Sequence, residues 1–403
     1  MAPDRLRRGV FDPTAPAFTD DPYPLYRKLR TAAPLFQDAA GTVYLSRHAD
    51  VAAVLGDQRF GKDFTRRLTE RGAAALLDEP VYMSASRWLL EMDPPEQQHA
   101  YRAVAKILAG PLLAGIDVRV AAIVDGVVDG VLARGEMDLV TEFAEAIPVA
   151  VMCELIGIPA GDRAAFCAVS DFPLEFFATL HPDRALIERA NADCLAQAAY
   201  LDTMFDERLR RPANDLISHL AATDLDRDAA IALIRMLYLG GSITTAMAIG
   251  NTVAALFGEP DRLRQTRTDP VALRNAFEEG LRYSSPIQML GRTALVDADV
   301  AGVALPAGTD VIVLIGAANR DPAVFTDPES FRLDRTGARR GLSFGAGLHR
   351  CLGSHLARIE FAAALGALLH RFPDLEVDGA QRPRWRRNHV LRGLAELPCH
   401  WAA

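Results

Sequence analysis

The amino-acid sequence predicts a mainly α fold with a small segregated β-sheet, in a single domain spanning residues 1–403. Three observations carry that expectation. Helical periodicity rich in Ala, Leu and Arg runs through 118–132, 185–210, 226–257, 270–283 and 352–371. Strand patterns are fewer and shorter. No low-complexity linker and no internal repeat divides the chain.

In chain order, 42–45 reads as the first strand, and 118–132 and 185–210 as amphipathic helices. At ~1.5 Å per residue, 226–257 makes a helix of roughly 48 Å, long enough to cross the molecule at its centre. Gly240-Gly241 in its middle costs roughly 1 kcal/mol per glycine relative to Ala, so something must compensate. Two readings stand: a close helix crossing that needs small residues, or a bulge that opens room beside a cofactor. After the 270–283 helix, strands at 293–295 and 310–314 flank a turn at Pro306-Ala307-Gly308. Helix 352–371 and a last strand at 399–402 complete the set.

Half of the residues are hydrophobic, ample for a large core, and 44 Lys+Arg stand against 52 Asp+Glu. With no long basic run to track a phosphate backbone, nucleic acid is excluded as a partner. Positive charge near the N-terminus has no apolar segment behind it, and no unbroken apolar run approaches a membrane span, so the expectation is a soluble, cytoplasmic protein without a membrane partner. The five cysteines are scattered, with no C-x-x-C pair to suggest a disulfide framework or a structural zinc site.

The most informative segment is Phe344-Gly-Ala-Gly-Leu-His-Arg-Cys351-Leu-Gly353, one cysteine among glycines running into an apolar helix. Glycines let the backbone approach a flat cofactor and turn its N–H groups toward sulfur, and the following helix N-terminus favours the anion. The segment resembles the haem-binding signature of the cytochrome P450 superfamily, with Phe344, Gly345, Gly347, His349, Cys351 and Gly353 in place. That resemblance implies heme b, its iron held by an axial Cys351 thiolate, which favours O–O cleavage.

Further motifs match the same superfamily from Asp21-Pro-Tyr-Pro24 to Arg392-Gly393. Glu279 and Arg282, at i and i+3, can pair on one helix face. The resemblance makes them a buried structural pair, completed by Arg332 or Arg335. Arg292 and His349 are the implied haem propionate contacts, since a guanidinium donates two parallel hydrogen bonds to a carboxylate. After Asp93-Pro-Pro-Glu96 the spacing departs from the family by an extra residue, making Arg102 the first choice for a third basic contact and His99 the second.

In the 226–257 helix, Gly240-Gly241-Ser242-Ile243-Thr244-Thr245 departs from the family's acid-alcohol pattern. The alcohol, Thr244, is present, but Ile243 stands where the acid is expected. Losing a general acid typically costs ~10²- to 10⁴-fold in the step it serves. Ser242, water or a substrate hydroxyl is then expected to carry protons. The segments that line the distal pocket in the family supply Met83, Phe172, Phe176, Leu239, Met289, Leu290 and Leu391, an apolar set suited to a medium-sized hydrophobic molecule.

The resemblance therefore implies a soluble bacterial monooxygenase that hydroxylates or epoxidises a natural-product intermediate, free or tethered to a carrier protein. Electrons would come from NAD(P)H through a separate ferredoxin and ferredoxin reductase. Arg339, Arg340, Arg350 and Arg358 around the cysteine loop offer a basic docking face for an acidic ferredoxin. Ile243 leaves open an atypical enzyme that performs oxidative coupling, desaturation or rearrangement. A non-enzymatic homologue that activates a partner by contact alone is the remaining alternative, and intact Cys351 argues against it.

Overall fold

The computed structural model describes residues 4–5, 11–70, 72–168, 176, 182–258, 260–377 and 383–402. They gather into two compact units, one of Met1–Phe60, Asp117–Pro148 and Ile243–Ala403, the other of Gly61–Ile116 and Val149–Ser242.

The first unit holds the main sheet. Strands Asp4–Arg5, Leu35–Gln37, Val43–Leu45, Asp310–Val313 and Leu290–Ala294 lie side by side in that order. Tyr44 pairs in parallel with Ile312, and Arg292 lies antiparallel to Val311. Period-two alternation sends Val43, Leu45, Val311 and Val313 into a core with Val54, Leu55 and Leu305. The other face takes Phe36, Tyr44 and Ile312 into an aromatic cluster with Tyr26 and Leu29. There the Phe36 and Tyr44 rings stack at 4.8 Å and 4°.

Two helices of this unit bear on the cysteine loop. Pro270–Tyr283 starts where Asp269 accepts a hydrogen bond from the Val271 N–H and Pro270 presets the first helical φ. Ser354–Arg371 follows the loop directly and buries Leu356, Phe361, Leu365 and Leu368.

In the second unit, Asp183 caps the 27-residue Arg184–Arg210 helix by accepting from the Leu186 N–H. Helix Glu96–Leu108 opens after Asp93, whose carboxylate takes the Lys62 and Asp63 backbone N–H groups at 2.9 and 2.7 Å.

The predicted long helix is Arg227–Phe257, 31 residues, and it gives its first half to the second unit and its last half to the first. It stays α-helical through Gly240-Gly241, so the bulge is not formed. Gly241 serves close packing instead, whereas a Cβ on Gly240 would meet open space. A Cβ on Gly241 would lie 2.6 Å from the Met152 sulfur on helix Ala146–Ile156. By length and composition this helix could cross a membrane, and 67% of its most apolar window is buried within the protein.

Expected and observed elements agree closely. The five expected helices form as Ile116–Leu132, Arg184–Arg210, Arg227–Phe257, Pro270–Tyr283 and Ser354–Arg371, and helices such as Tyr23–Ala32, His48–Gly56 and Pro260–Thr268 add to them. The turn at 306–308 forms with Gly308 at φ +86°, its N–H bonded to the Ala294 carbonyl. A hairpin of Ala298–Val300 and Val303–Leu305 was not anticipated.

Candidate active site

The cysteine loop is held by its own backbone and by one buried amide. The Cys351 N–H donates to the Phe344 carbonyl at 2.9 Å, and the Gly345 N–H to Leu342 at 2.8 Å, closing the loop on itself. Gly345 and Gly347 both sit at φ +66°, the left-handed region that a side chain resists. At Gly347 an added Cβ would collide with the Leu55 carbonyl oxygen, so only glycine lets these two backbones meet.

Asn319 fixes the start of the loop. Its Oδ1 accepts from the Leu342 N–H at 2.7 Å, and its Nδ2 donates to Ser285 and Ser343 at 2.6 and 2.8 Å. The Ser343 hydroxyl bonds the Leu281 carbonyl at 2.8 Å, tying the loop to the C-terminal turn of the Pro270–Tyr283 helix. The sequence does not announce this role for Asn319, Ser285 or Ser343. A buried Asn beside two serines carries no spacing signal, because its partners come from distant segments.

Cys351 itself is exposed, and its sulfur faces opposing influences. Desolvation by the surrounding protein pushes the thiol up, while the Gly353 and Ser354 N–H groups and the Arg358 and Arg350 charges favour the thiolate. An open sulfur with backbone donors aimed at it, beside glycines that permit close approach, fits the axial ligand of a haem. Phe344 is anchored under the Arg358 guanidinium, 4.8 Å from its ring centroid.

Behind the loop, Glu279 and Arg282 are both fully buried and share two bonds, Nε to Oε2 at 2.7 Å and Nη2 to Oε1 at 2.8 Å. The third member is the Arg335 side chain, whose Nε reaches both Glu279 oxygens at 2.9 and 3.0 Å. Arg332 contributes only its backbone N–H, at 2.8 Å, and pairs its own guanidinium with Asp334. Arg282 also donates to the Asn319, Pro328 and Ser330 carbonyls, so the network pins the irregular segment that leads to the loop.

The other expected residues divide. Arg292 is buried on the Leu290–Ala294 strand, with Nη1 on the Gly291 carbonyl at 2.9 Å, and His349 sits in the half-exposed Gly347–His349 turn. Ile243 and Thr244 are half-buried on the long helix, whereas Ser242 is buried and its hydroxyl has no partner among the described residues. On the Glu96–Leu108 helix Arg102 is exposed, and His99 faces Asp224 with Nε2 3.3 Å from Oδ1.

Among the pocket residues, Leu239 is buried, Met83 is 52% exposed, and Phe176 packs edge-on against Tyr82 at 5.3 Å. Met289 joins the aromatic core with Tyr26, and Leu290 packs against the opposite core cluster. Leu391 is buried and bridges to Ile287. Phe172 lies outside the described residues. Of the four arginines proposed as a docking face, Arg339 and Arg358 both pair with Glu278, at 3.3 and 2.7 Å.

Comparison with known proteins agrees with this geometry. The family model described as Cytochrome P450 matches residues 270–393, which hold the Glu279 network, Arg292 and the cysteine loop. The chain is 35% identical over 401 residues to the cytochrome P450 monooxygenase PikC of Streptomyces venezuelae, covering 95% of this chain and 92% of that one. Among solved structures it resembles P450BioI in complex with a hexadec-9Z-enoic acid ligated acyl carrier protein, with TM-score 0.87 and 29% identity over 96% of this chain and 100% of that one. It also resembles PksS, the cytochrome P450 of the bacillaene polyketide synthase of Bacillus subtilis 168, with TM-score 0.86 and 27% identity over 98% and 100%.

Proposed function

We infer that this chain, which belongs to the cytochrome P450 family and is therefore a haem-thiolate monooxygenase, hydroxylates or epoxidises a hydrophobic secondary-metabolite intermediate in the cytoplasm, as one catalytic domain. The observation that carries the reading is the open Cys351 sulfur with backbone donors aimed at it. Heme b bound there supplies reductive activation of dioxygen, with electrons passed from NAD(P)H by a separate ferredoxin and ferredoxin reductase.

The residues of the chain divide the remaining work. Cys351 holds the iron, and the Gly353 and Ser354 N–H groups steady negative charge on its sulfur. Arg292 and His349 are assigned to the propionates, which charge-assisted hydrogen bonds would fix. Thr244 holds a proton at its hydroxyl, and the unpartnered Ser242 hydroxyl is the nearest group in sequence able to stand in for the absent acid. The names of PikC and PksS support a natural-product substrate, and the acyl carrier protein bound to P450BioI supports tethered delivery as one form of it.

The test is a titration of the ferric, haem-loaded protein with terpenoids, macrolides, cyclic dipeptides and phenolics, followed through the Soret band. A low-to-high spin shift with one class, and oxygenated product from it on adding a ferredoxin system, is expected. If no class shifts the band or yields product, the reading fails.

Ile243 favours a second reading, in which the enzyme needs little proton delivery and performs coupling, desaturation or rearrangement. Ile243→Glu separates the two. If the missing acid limits oxygenation, product formed per NAD(P)H consumed changes by about tenfold or more, since a positioned acid is worth ~10²- to 10⁴-fold. Unchanged coupling and an unchanged product would assign the position no role in proton delivery.

A further inference from the structure

The second unit buries a positive charge that bonds no acid among the described residues. Arg235, on the long helix, is 2% exposed, yet every group it bonds is neutral. Nε donates to Gln197 Oε1 at 2.7 Å, and Nη1 donates to Ser84 Oγ at 2.5 Å and to Cys194 Sγ at 3.0 Å. Cys194 is no counter-ion, because burial pushes its thiol up and its S–H donates to the Pro80 carbonyl at 3.4 Å. Asp193 acts on the guanidinium only through space, with no hydrogen bond between them. The Nη2 edge has no partner among the described residues.

Burying an unpaired charge is costly, and folded chains almost always compensate it with a partner of opposite sign. A guanidinium stays charged despite the desolvation acting on it. With Asp193 acting only through space, the open edge calls for an anion in direct contact.

Its surroundings say where the anion belongs. Arg235 bonds Ser84, the chain neighbour of Met83, and Leu239 lies one helical turn further along the same helix, so the guanidinium is close in the chain to two of the expected substrate-contact residues of this unit. Arg235, Leu239 and Ser242 fall at i, i+4 and i+7, one face of the helix. That face carries a second polar group awaiting a partner, the buried Ser242 hydroxyl. A buried cation and a buried orphan hydroxyl, ~10 Å apart along the axis with Leu239 between them, describe a surface for an elongated apolar molecule that is polar at its end.

We propose that Arg235 is a specificity-determining residue that binds the free carboxylate of the substrate through its open Nη2 edge, with the apolar body of the substrate running along Leu239. The single open edge matches a singly charged anion rather than a phosphate, which needs more donors than one edge offers. This deepens the monooxygenase reading and rests on it. It selects a free acid over a carrier thioester, which has no charge at that position.

The experiment compares dodecanoate and deoxycholate with their methyl esters on the haem-loaded protein, by calorimetric titration alongside the Soret shift. The wild type should bind at least one acid about tenfold or more tightly than its ester. Arg235→Met should abolish that preference while leaving ester affinity within about twofold, and Arg235→Lys should keep part of it. Thermal midpoints check folding, and Arg235→Met is expected to melt no lower than the wild type because it removes a buried charge. If Arg235→Met fails to fold, loss of preference in a folded Arg235→Ala variant decides in its place.

Esters that bind as tightly as their acids, a preference that survives loss of the guanidinium, or an absence of binding by either acid overturns the proposal. Those outcomes leave the monooxygenase reading intact as long as other apolar compounds shift the Soret band. A protein whose Soret band responds to no apolar compound fails that reading instead.

Discussion

Replacing Glu279 with Ala should destabilise the protein by about 3–5 kcal/mol, measured as a lower denaturant midpoint at unchanged slope. The carboxylate is fully buried and receives two arginine side chains and the Arg332 backbone N–H. Its removal strands two guanidiniums, Arg282 at 0% and Arg335 at 6% side-chain exposure, with backbone carbonyls and, for Arg282, the Tyr283 and Phe325 rings beside them but no bonded acid among the described residues. The cost is the price of uncompensated buried charge, which is larger than the net worth of the intact pair. Arg335→Met, which removes one cation and leaves the Glu279–Arg282 pair, should cost less than half as much. A Glu279→Ala protein within 1 kcal/mol of the wild type, on the same scale of about 3–5 kcal/mol for a broken buried pair, would show that the network does not hold this part of the unit together.

Glu360→Gln should act in the opposite direction. Glu360 lies 1% exposed on the Ser354–Arg371 helix, its Oε2 has no partner, and burial alone pushes its carboxyl up to about 8 from an ordinary 4.5. The folded chain therefore holds a proton that the unfolded chain releases at neutral pH. With the folded value above the unfolded one, stability is fully present below about 4.5 and is lost as pH rises through about 8. At 1.36 kcal/mol per unit, the loss between those limits is on the order of 3–5 kcal/mol. A neutral amide of the same shape escapes it, so Glu360→Gln should match the wild type near pH 4.5 and exceed it by roughly 2–4 kcal/mol at pH 8. Denaturant melts across that range check this, and parallel wild-type and variant curves would mean the carboxyl is not held protonated.

What could be read in the sequence follows a physical line. Glu279 and Arg282 are legible because i, i+3 spacing places them on one helix face whatever surrounds them. Which of Arg332 and Arg335 joins them depends on the irregular path from Asn319 to Leu342, and no periodicity describes such a path. Gly308 announces its turn, but the missed hairpin turns on Ala301 at φ +53° followed by Gly302 at φ +76°. Alanine is a poor advertisement for left-handed backbone. Met289 and Leu290 pack with core clusters on opposite faces of the sheet, and because both faces are apolar, alternation cannot say which buried surface a side chain meets. Gly240-Gly241 is equally ambiguous, since small residues serve a bulge and a close crossing alike. Only Met152, far off in sequence, decides between them. Arg235 gives no local signal at all, because its significance lies in the acids that are not beside it.

The Asn319 amide has a consequence for how the protein comes to be made. Its side-chain partners lie 34 residues before it and 24 after it, and the Ser285–Ser343 bond it organises closes a span of 58. Closing such spans costs chain entropy before any contact repays it. The start of the cysteine loop is therefore fixed from outside its own ten or so residues, by Asn319 and by the Leu281 carbonyl of the Pro270–Tyr283 helix. A chain in which those distant segments have not yet met lacks the bonds that fix the loop before Cys351, so the readiness of the thiolate depends on tertiary assembly and not on the motif alone.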